Sequence, residues 1–316
     1  MEIRVLQYFL AVAKEESITK AAESLHLSQP TLSRQLMDLE DRLGKTLMIR
    51  GSKKISLTEE GWLLHKRAQE IVELAQRTES EIRQSDDHIA GEIWIGGGET
   101  EGMRYIARTV RSLQNEHPHV RFNLFSGNTM EVTERLENGL IDFGVGIGSD
   151  NLKRYDFIQL PVVHYAGLLM RKDSPLASRA IIRPDDLRKI PIIAPRNEGV
   201  RRAYSKWMGR SFDTLNVVAT FNLIYNAAFL VEEGMGYALC IDRLVTLTDE
   251  HPLCFTLYDP PMEFTIDIAW KKNQAHSKAS RKFLEKLYEN MCHTNTSDRS
   301  TLKPPSILIG TDSFSV

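Results

Sequence analysis

Residues 17–43 carry the pattern that most constrains how this chain folds. Two short helical patterns lie on either side of a tight break at 26–28. Ser17 and Ser28 stand where helix N-caps are expected, and Pro30 falls in the first turn of the second helix, where a backbone N–H is not needed. Two helices joined by so short a turn predict a helix-turn-helix, the motif whose second helix enters the major groove of DNA.

The second helix is expected to have an apolar face and a polar face. Leucines recur along it at steps of four, three and four, which places them on one stripe facing the core. They are Leu32, Leu36, Leu39 and Leu43. Arg34 lies in the N-terminal half of the polar face, where it can bind guanine, and Gln29 can bind adenine or a phosphate. Phosphates repel the acids that come later, so only the N-terminal half is expected to sit deep in the groove. These acids are Asp38, Glu40 and Asp41.

A small basic hairpin is predicted directly after this helix, because residues 45–58 alternate apolar side chains around Gly51-Ser52. Residues 42–57 contain five cations and no acid: Arg42, Lys45, Arg50, Lys53 and Lys54. Such a hairpin beside a helix-turn-helix is typical of a wing that lies along the DNA backbone or minor groove. The alternatives are an ordinary helical hairpin with a solvated arginine and a solvated surface hairpin.

Residues 1–61 resemble the DNA-binding domain of the LysR-type transcriptional regulators. The matching segments are 6–13, 17–22, 27–34, 39–40, 43–44 and 57–61. The resemblance implies DNA contacts from Gln29, Pro30, Ser33 and Arg34, with phosphate contacts from Thr31 and Arg50. Lys53 and Lys54 of the hairpin complete the predicted DNA-binding set. Met48-Ile49 departs from the family pattern, in which an aromatic residue commonly follows the leucine, and this affects wing packing more than DNA contact.

Residues 58–86 predict one long helix, since they contain no proline and a single glycine. Apolar and small residues step by four and three along it, which is a heptad seam. The seam is Leu57, Gly61, Leu64, Ala68, Ile71, Ala75, Thr78 and Ile82. We expect this helix to pair with its copy, so that a homodimer presents two recognition helices to a pseudo-palindromic site. A helix packed on its own domain is the alternative. The resemblance implies a linker helix here and adds that homotetramers are common.

After residue 90 the pattern changes to alternating strands and helices, in two successive β-α-β-α-β units with a late strand and a closing helix. Strands are predicted at 92–96, 120–124, 140–146, 190–194, 217–220, 236–241 and 264–270, and helices at 103–113, 130–138, 200–208, 223–233 and 280–291. This order indicates a two-lobed Rossmann-like domain. It resembles the co-inducer domain of the same family, which is similar to periplasmic substrate-binding proteins.

The predicted fold class is therefore α/β multidomain, with an N-terminal winged helix-turn-helix, a linker helix and a C-terminal two-lobed effector-binding domain. The expected bounds are 1–58 for the DNA-binding domain, 59–89 for the linker and 90–293 for the effector-binding domain. Lobe I is expected at about 90–160 and 266–293, and lobe II at about 161–265. Residues 294–316 are rich in Ser, Thr and Pro and predict a disordered tail.

An effector site is predicted at the carboxyl ends of the strands, where loops enter helix N-termini. Thr100, Thr129 and Asn222 are expected to donate to a ligand carboxylate, and Arg196 to pair with it. Arg201 and Arg202 lie in the first turn of the next helix, where the dipole disfavours cations unless an anion binds nearby, and solvated or salt-bridged surface residues are the alternative for these two. The expected effector is a small organic acid, with a donor group that meets Glu99, because acidic residues in the first loop disfavour a strongly anionic ligand.

Two other classes of function stay open. A dinucleotide-dependent α/β enzyme would use Gly96-x-Gly98, but the position of the third glycine holds Glu101, and the second strand ends without the acid that binds ribose. A stand-alone ligand-binding module would leave 17–58 without a role. The sequence contains no G-x-S-x-G, P-loop, C-x-x-C or H-E-x-x-H motif, so no catalytic residue, metal ligand or cofactor is predicted.

Location and partners follow from composition. No apolar run approaches about 18 residues, and the N-terminus has no signal-peptide pattern, so no membrane contact is expected. The cysteines are Cys240, Cys254 and Cys292, far apart and odd in number, which indicates a reducing cytoplasm without a structural disulfide. The expected partners are double-stranded DNA, a small-molecule effector and further copies of the chain, with RNA polymerase as an additional contact.

Overall fold

The computed structural model describes residues 1–51, 54–82, 89–147 and 154–294. The chain divides into two compact units, Met1–Ser85 and Asp86–Val316. Of the sequence-based predictions, the hairpin lysine Lys53 and the tail beyond residue 294 lie outside the described residues. No helix among the described residues is long and apolar enough to cross a membrane.

Within its described residues, the first unit has four helices and a two-stranded sheet. In chain order these are α1 (Ile3–Glu15), α2 (Ile18–Ser24), α3 (Gln29–Leu43), β1 (Met48–Arg50), β2 (Ile55–Leu57) and α4 (Glu59–Ile82). The apolar faces of α1, α3 and α4 form one core. Leu32, Leu36 and Leu39 are buried there, as predicted, but Leu43 is 44% exposed, because it is the last residue of α3 and its end of the helix extends past that core.

Helices α2 and α3 both have the expected N-caps. Ser17 Oγ accepts a hydrogen bond from the backbone N–H of Lys20, and Ser28 Oγ accepts one from that of Thr31. His26 adopts the left-handed conformation at φ 55°. The N–H of Leu27 donates to the carbonyl of Ala22 at 2.9 Å, the bond of a Schellman motif, which ends α2 sharply. The predicted helix-turn-helix is therefore present.

The structure of α4 shows that the predicted heptad seam is wrong in its first half. Gly61 is buried, and a Cβ atom there would lie only 2.1 Å from the carbonyl oxygen of Leu47, so this position packs on the unit's own hairpin. Ala68 and Val72 are buried in the core with α1. The first half of the seam is thus intramolecular, which is the alternative considered above. Ile71 and Ile82 of the predicted seam stay exposed, and with the neighbouring Leu63 and Leu74 they form an exposed apolar stripe on α4.

The second unit contains nine strands and five helices within its described residues. The strands are β3 (Gly91–Gly97), β4 (Val120–Ser126), β5 (Phe143–Ile147), β6 (Tyr155–Arg171), β7 (Pro191–Pro195), β8 (Asn216–Phe221), β9 (Tyr237–Ile241), β10 (Leu253–Leu257) and β11 (Glu263–Lys271). The helices are α5 (Met103–Glu116), α6 (Thr129–Glu137), α7 (Glu198–Met208), α8 (Ile224–Glu232) and α9 (Lys278–Thr294). The order along the sheet is β4-β3-β5-β11-β6-β9-β7-β8, and β10 pairs with β6.

Two strands connect the two lobes of this unit. The first part of β6 pairs with β11 in lobe I, and its last part pairs with β9 and β10 in lobe II. The β6–β11 register shifts between Thr265 and Asp267, where the chain passes from one lobe to the other. Separate apolar clusters fill each lobe. The predicted two-lobed α/β architecture is confirmed.

Candidate DNA-binding surface and effector cleft

The N-terminal half of α3 presents a polar surface. Gln29, Pro30 and Arg34 are exposed there, and Ser33 is half-buried. No hydrogen bond or ion pair engages the Arg34 guanidinium among the described residues, so its donors are available to an external acceptor. The first backbone N–H groups of α3 add a positive dipole end on the same side.

Thr31 has a structural contact as well as an exposed position. Its hydroxyl lies 2.8 Å from Ser28 Oγ, and its backbone N–H donates to the same oxygen. The two hydroxyls form a small network at the start of α3. This network fixes the first turn of α3. The first turn then holds Gln29 and Pro30 at the surface.

Glu40 does not lie on the polar face with the other two acids. Its Oε1 accepts hydrogen bonds from the backbone N–H groups of Leu47 at 2.6 Å and Met48 at 3.1 Å. Glu40 therefore joins α3 to the start of the hairpin. Asp38 and Asp41 are exposed as expected, so the acidic part of the surface is smaller than the sequence predicted.

The hairpin β1–β2 places its described cations in two different environments. Arg50 is exposed at the end of β1. Lys54 Nζ forms an ion pair with Glu16 Oε1 at 3.2 Å, and the backbone N–H of Ile55 donates to the carbonyl of Glu16. An exposed pair of this kind contributes at most about 1 kcal/mol, so a phosphate can compete for Lys54.

A cleft lies in the second unit at the carboxyl ends of β3, β7 and β9. Its volume is about 120 Å³, room for a small organic ligand. The loops after β3, β4, β7 and β8 line it, as the sequence predicted. Thr100, Thr129 and Asn222 are among the lining residues. Arg196 is not: its Nε donates to Thr220 Oγ1 at 3.1 Å, and its side chain is exposed.

Glu99 crosses this cleft. Its Oε2 accepts a hydrogen bond of 2.6 Å from the backbone N–H of Ile224, the first residue of α8. The N-cap position of α8 is Leu223, which has no side chain that can cap, so Glu99 supplies the cap from the opposite lobe. The helix N-terminus expected to receive a ligand carboxylate thus holds a carboxylate of the protein.

A buried hydrogen-bond chain stands behind Thr100. The His164 imidazole is fully buried on β6, with Nδ1 2.8 Å from Asp242 Oδ1 and Nε2 2.9 Å from Thr100 Oγ1. A carboxylate only accepts, so Nδ1 carries a proton and donates it to Asp242 Oδ1. Nε2 and the Thr100 hydroxyl share a second hydrogen bond. The N–H of Gly102 also donates to Thr100 Oγ1. The Thr100 hydroxyl therefore has two partners within the protein, and its donation to a ligand stays a prediction.

Three asparagines in the cleft use their carbonyl oxygens within the protein. Asn128 Oδ1 caps α6, Asn197 Oδ1 caps α7, and Asn222 Oδ1 accepts from the N–H of Leu223. Each keeps its amide NH₂ for a ligand acceptor. Sequence reasoning placed all three in the loops at the cleft but assigned a ligand contact only to Asn222.

Cys240 lines the cleft without being a reactive group. Burial raises the pKa of its thiol far above the ordinary value, and Asp242 and Glu99 add to the effect. The thiolate is the nucleophilic form, so this environment disfavours redox or nucleophilic chemistry. In the part of the chain that the structure describes, no three His, Cys, Asp or Glu side chains are grouped so that they could hold a metal ion.

Comparison with family models identifies both units. Residues 3–62 match the family described as "Bacterial regulatory helix-turn-helix protein, lysR family". Residues 86–292 match "LysR substrate binding domain". The HTH-type transcriptional regulator BsdA of Bacillus subtilis is 28% identical over 294 residues, which cover 90% of this chain and 99% of that protein. The HTH-type transcriptional regulator BenM of Acinetobacter baylyi is 34% identical over 153 residues, 46% of this chain and 48% of that one.

Solved structures show the same fold. Full-length CbnR in complex with its target DNA matches with a TM-score of 0.68 and 20% sequence identity, over 92% of this chain and 100% of that chain. A full-length BenM variant matches with a TM-score of 0.52 and 24% identity, over 96% of this chain and 99% of the other.

Proposed function

This chain belongs to the LysR family of DNA-binding transcriptional regulators, and we propose that it binds a pseudo-palindromic promoter site as a dimer or tetramer under the control of a small effector. The observation that carries the proposal is the N-terminal half of α3. It combines an exposed Gln29 and Arg34 with a capped helix start, the arrangement that a recognition helix needs.

The DNA contacts follow from this surface. Gln29, Ser33 and Arg34 face the base edges, and Pro30 and Thr31 position the first turn against the backbone. Arg50 and Lys54, with the neighbouring Lys53, bind phosphates along the hairpin. Phosphate contacts supply affinity at every sequence, whereas the α3 side chains supply discrimination. The supporting features are the exposure of Arg34 and Arg50 and the weak ion pair of Lys54.

Dimer formation is proposed along α4. Leu63, Ile71, Leu74 and Ile82 form an exposed apolar stripe on this helix. Exposed apolar area on a long helix is removed from water when a second copy of the helix packs on it. A two-fold dimer would present two copies of α3 to the two halves of a palindromic site.

The cleft of the second unit is the proposed effector site. A ligand that binds one arrangement of the two lobes more tightly shifts the population toward it, and DNA affinity then changes by the coupling free energy. The expected organic acid has no cationic partner there, since Arg196 lies outside the lining. We therefore propose that an effector binds in this cleft, without assigning a carboxylate group to it.

The enzyme alternative gains no support from the glycine segment after β3. Glu101, at the position of the third glycine, forms an ion pair with Arg104 at 2.7 Å. Glu99 occupies the cleft on the same loop, and a carboxylate there opposes a pyrophosphate. Family membership favours regulation instead.

A gel-shift and footprinting experiment with the DNA upstream of the protein's own gene tests the proposal. The expected result is one protected region with two-fold related half-sites, centred about one helical turn apart or a multiple of it. A scrambled duplex of the same composition is the control. Equal binding of both duplexes, with no footprint, would contradict the proposed function.

A further inference from the structure

We propose that the effector is a small amine, whose ammonium group binds the Glu99 carboxylate in the cleft. The inference rests on the proposed effector function of this cleft. It names the class of ligand from the charges, hydrogen bonds and apolar walls that the cleft offers.

Charge is the first argument. Among the cleft-lining residues that the structure describes, Glu99 carries the only charged side chain. A ligand carboxylate would lie beside this carboxylate, which has the same charge. A ligand cation would instead gain a charge-assisted hydrogen bond. The negative charge of Glu99 therefore favours a cationic ligand.

The position of Glu99 is the second argument. Its Oε2 is held by the N–H of Ile224, which fixes the carboxylate between the two lobes and leaves Oε1 for a ligand. Because no side chain of α8 itself caps the helix, loss of Glu99 from this position would leave an N–H without its partner. The carboxylate is thus held in place before the ligand arrives, and a preorganised group binds its partner with little ordering cost.

Thr100 gives the third argument. Its hydroxyl oxygen accepts a hydrogen bond from the N–H of Gly102 and lies 2.9 Å from Nε2 of His164. A hydroxyl oxygen carries two lone pairs, so Thr100 offers a ligand at most one further acceptor position. An ammonium or amine donates several hydrogens, which suits a carboxylate and a hydroxyl acceptor on adjacent residues of one loop. A carboxylate ligand has no hydrogen to donate to the free Oε1 of Glu99.

The other side chains that line the cleft indicate the chemistry of the rest of the ligand. Much of the wall on lobe II is apolar, with Val200, Tyr204, Phe221, Leu239, Ile241 and Phe264. A compact aliphatic or aromatic body removes this area from water. The free NH₂ groups of Asn128, Asn197 and Asn222 suit an acceptor oxygen on that body. The ligand class is a small primary amine with an apolar body, including those that carry a carbonyl or hydroxyl oxygen.

The test uses the full chain and a series of primary amines, from isobutylamine to phenethylamine, each paired with the carboxylic acid and the alcohol of matching skeleton. Binding is measured in an amine-free buffer by the shift in melting temperature and by titration of intrinsic fluorescence. We expect amines to bind and their matched acids not to. The Glu99→Gln variant, whose amide oxygen still caps α8, should bind amines about tenfold more weakly or worse, because it lacks the charge.

Glu101→Gln is the matched control, because Glu101 lies on the same loop, pairs with Arg104 and is not among the lining residues. It should bind amines as the natural chain does. Three results would overturn the proposal: acids that bind in place of amines, amine binding that Glu99→Gln leaves unchanged, or no amine binding at millimolar concentration. A gel shift on the same preparations separates these outcomes from a failure of the proposed function, since specific DNA binding would persist if only the ligand class were wrong.

Discussion

Oε1 of Glu40 lies 2.6 Å from the backbone nitrogen of Leu47 and joins the recognition helix α3 to the hairpin that follows it. The same oxygen accepts from Met48. Leu47 and Met48 are buried, so without Glu40 two N–H groups near the core would lose their acceptor. The carboxylate thus fixes the hairpin relative to α3, on which the proposed placement of Arg50 along DNA depends.

We expect Glu40→Ala to lower the free energy of unfolding by about 2 kcal/mol, because it leaves polar groups near the core unpaired. Urea titration of the full chain measures this. Glu40→Gln, which keeps an acceptor oxygen, should lose less. Asp41→Ala is the control for removal of a neighbouring exposed acid and should change stability little. Equal losses in Glu40→Ala and Asp41→Ala would contradict the structural role.

Arg34→Ala tests the recognition helix. Removal of a bidentate contact to a base is expected to reduce discrimination between cognate and scrambled duplexes by about 1–3 kcal/mol, with a smaller effect on non-specific binding. Fluorescence anisotropy at fixed salt measures both affinities. Arg42→Ala is the matched control, since Arg42 lies at the other end of α3 and its Nε binds the carbonyl of Asp38. Discrimination unchanged in Arg34→Ala would contradict the assignment.

Sequence reasoning found the short-range features and missed those set by tertiary contacts. The caps at Ser17 and Ser28 are local, so the helix-turn-helix was predictable. Strand β6 was not predicted, because Pro161 in its middle is typical of a break. The proline is accommodated where the pairing of β6 with β11 shifts register, between Gln159 and Val163, so no ladder hydrogen bond is lost.

The packing of the α4 seam and the Glu99–Ile224 contact in the cleft also depend on tertiary contacts that the sequence does not reveal. Periodicity indicates which residues share a helix face, but not whether α1 or a second chain covers them, and Gly61 and Ala68 pack on their own unit. The contact between Glu99 and Ile224 joins residues 125 positions apart in sequence. No local pattern signals it, so the sequence could predict the loops of the cleft but not its charge.

The buried carboxyl group of Asp267 is expected to make the free energy of unfolding depend on pH. Burial on β11 raises the pKa of its carboxyl group above the ordinary value. An acid whose pKa is raised by folding adds stability that is complete below the unfolded pKa and is lost as the pH rises through the folded pKa. Asp267→Asn removes this loss, so the variant should unfold at higher urea than the natural chain at pH 7. The difference should shrink toward about pH 4, where the unfolded carboxyl also takes up its proton.

Urea titrations from pH 4 to 8 measure the Asp267 effect, with Asp249→Asn as the control for removal of an exposed carboxylate. If the stability difference between Asp267→Asn and the natural chain did not change over this range, the buried carboxyl would not be its source.

Leu74→Glu tests the exposed stripe of α4. Leu74 lies in that stripe, 41% exposed in the single chain. If two copies of α4 pack there, the substitution places two carboxylates in one apolar interface, where they are desolvated and repel each other. We expect the dimer dissociation constant to rise at least about tenfold, as measured by sedimentation equilibrium. Gln69→Glu introduces the same charge at an exposed position outside the stripe and should leave the constant nearly unchanged. An unaltered dimer in Leu74→Glu would place the contact between copies elsewhere on the chain.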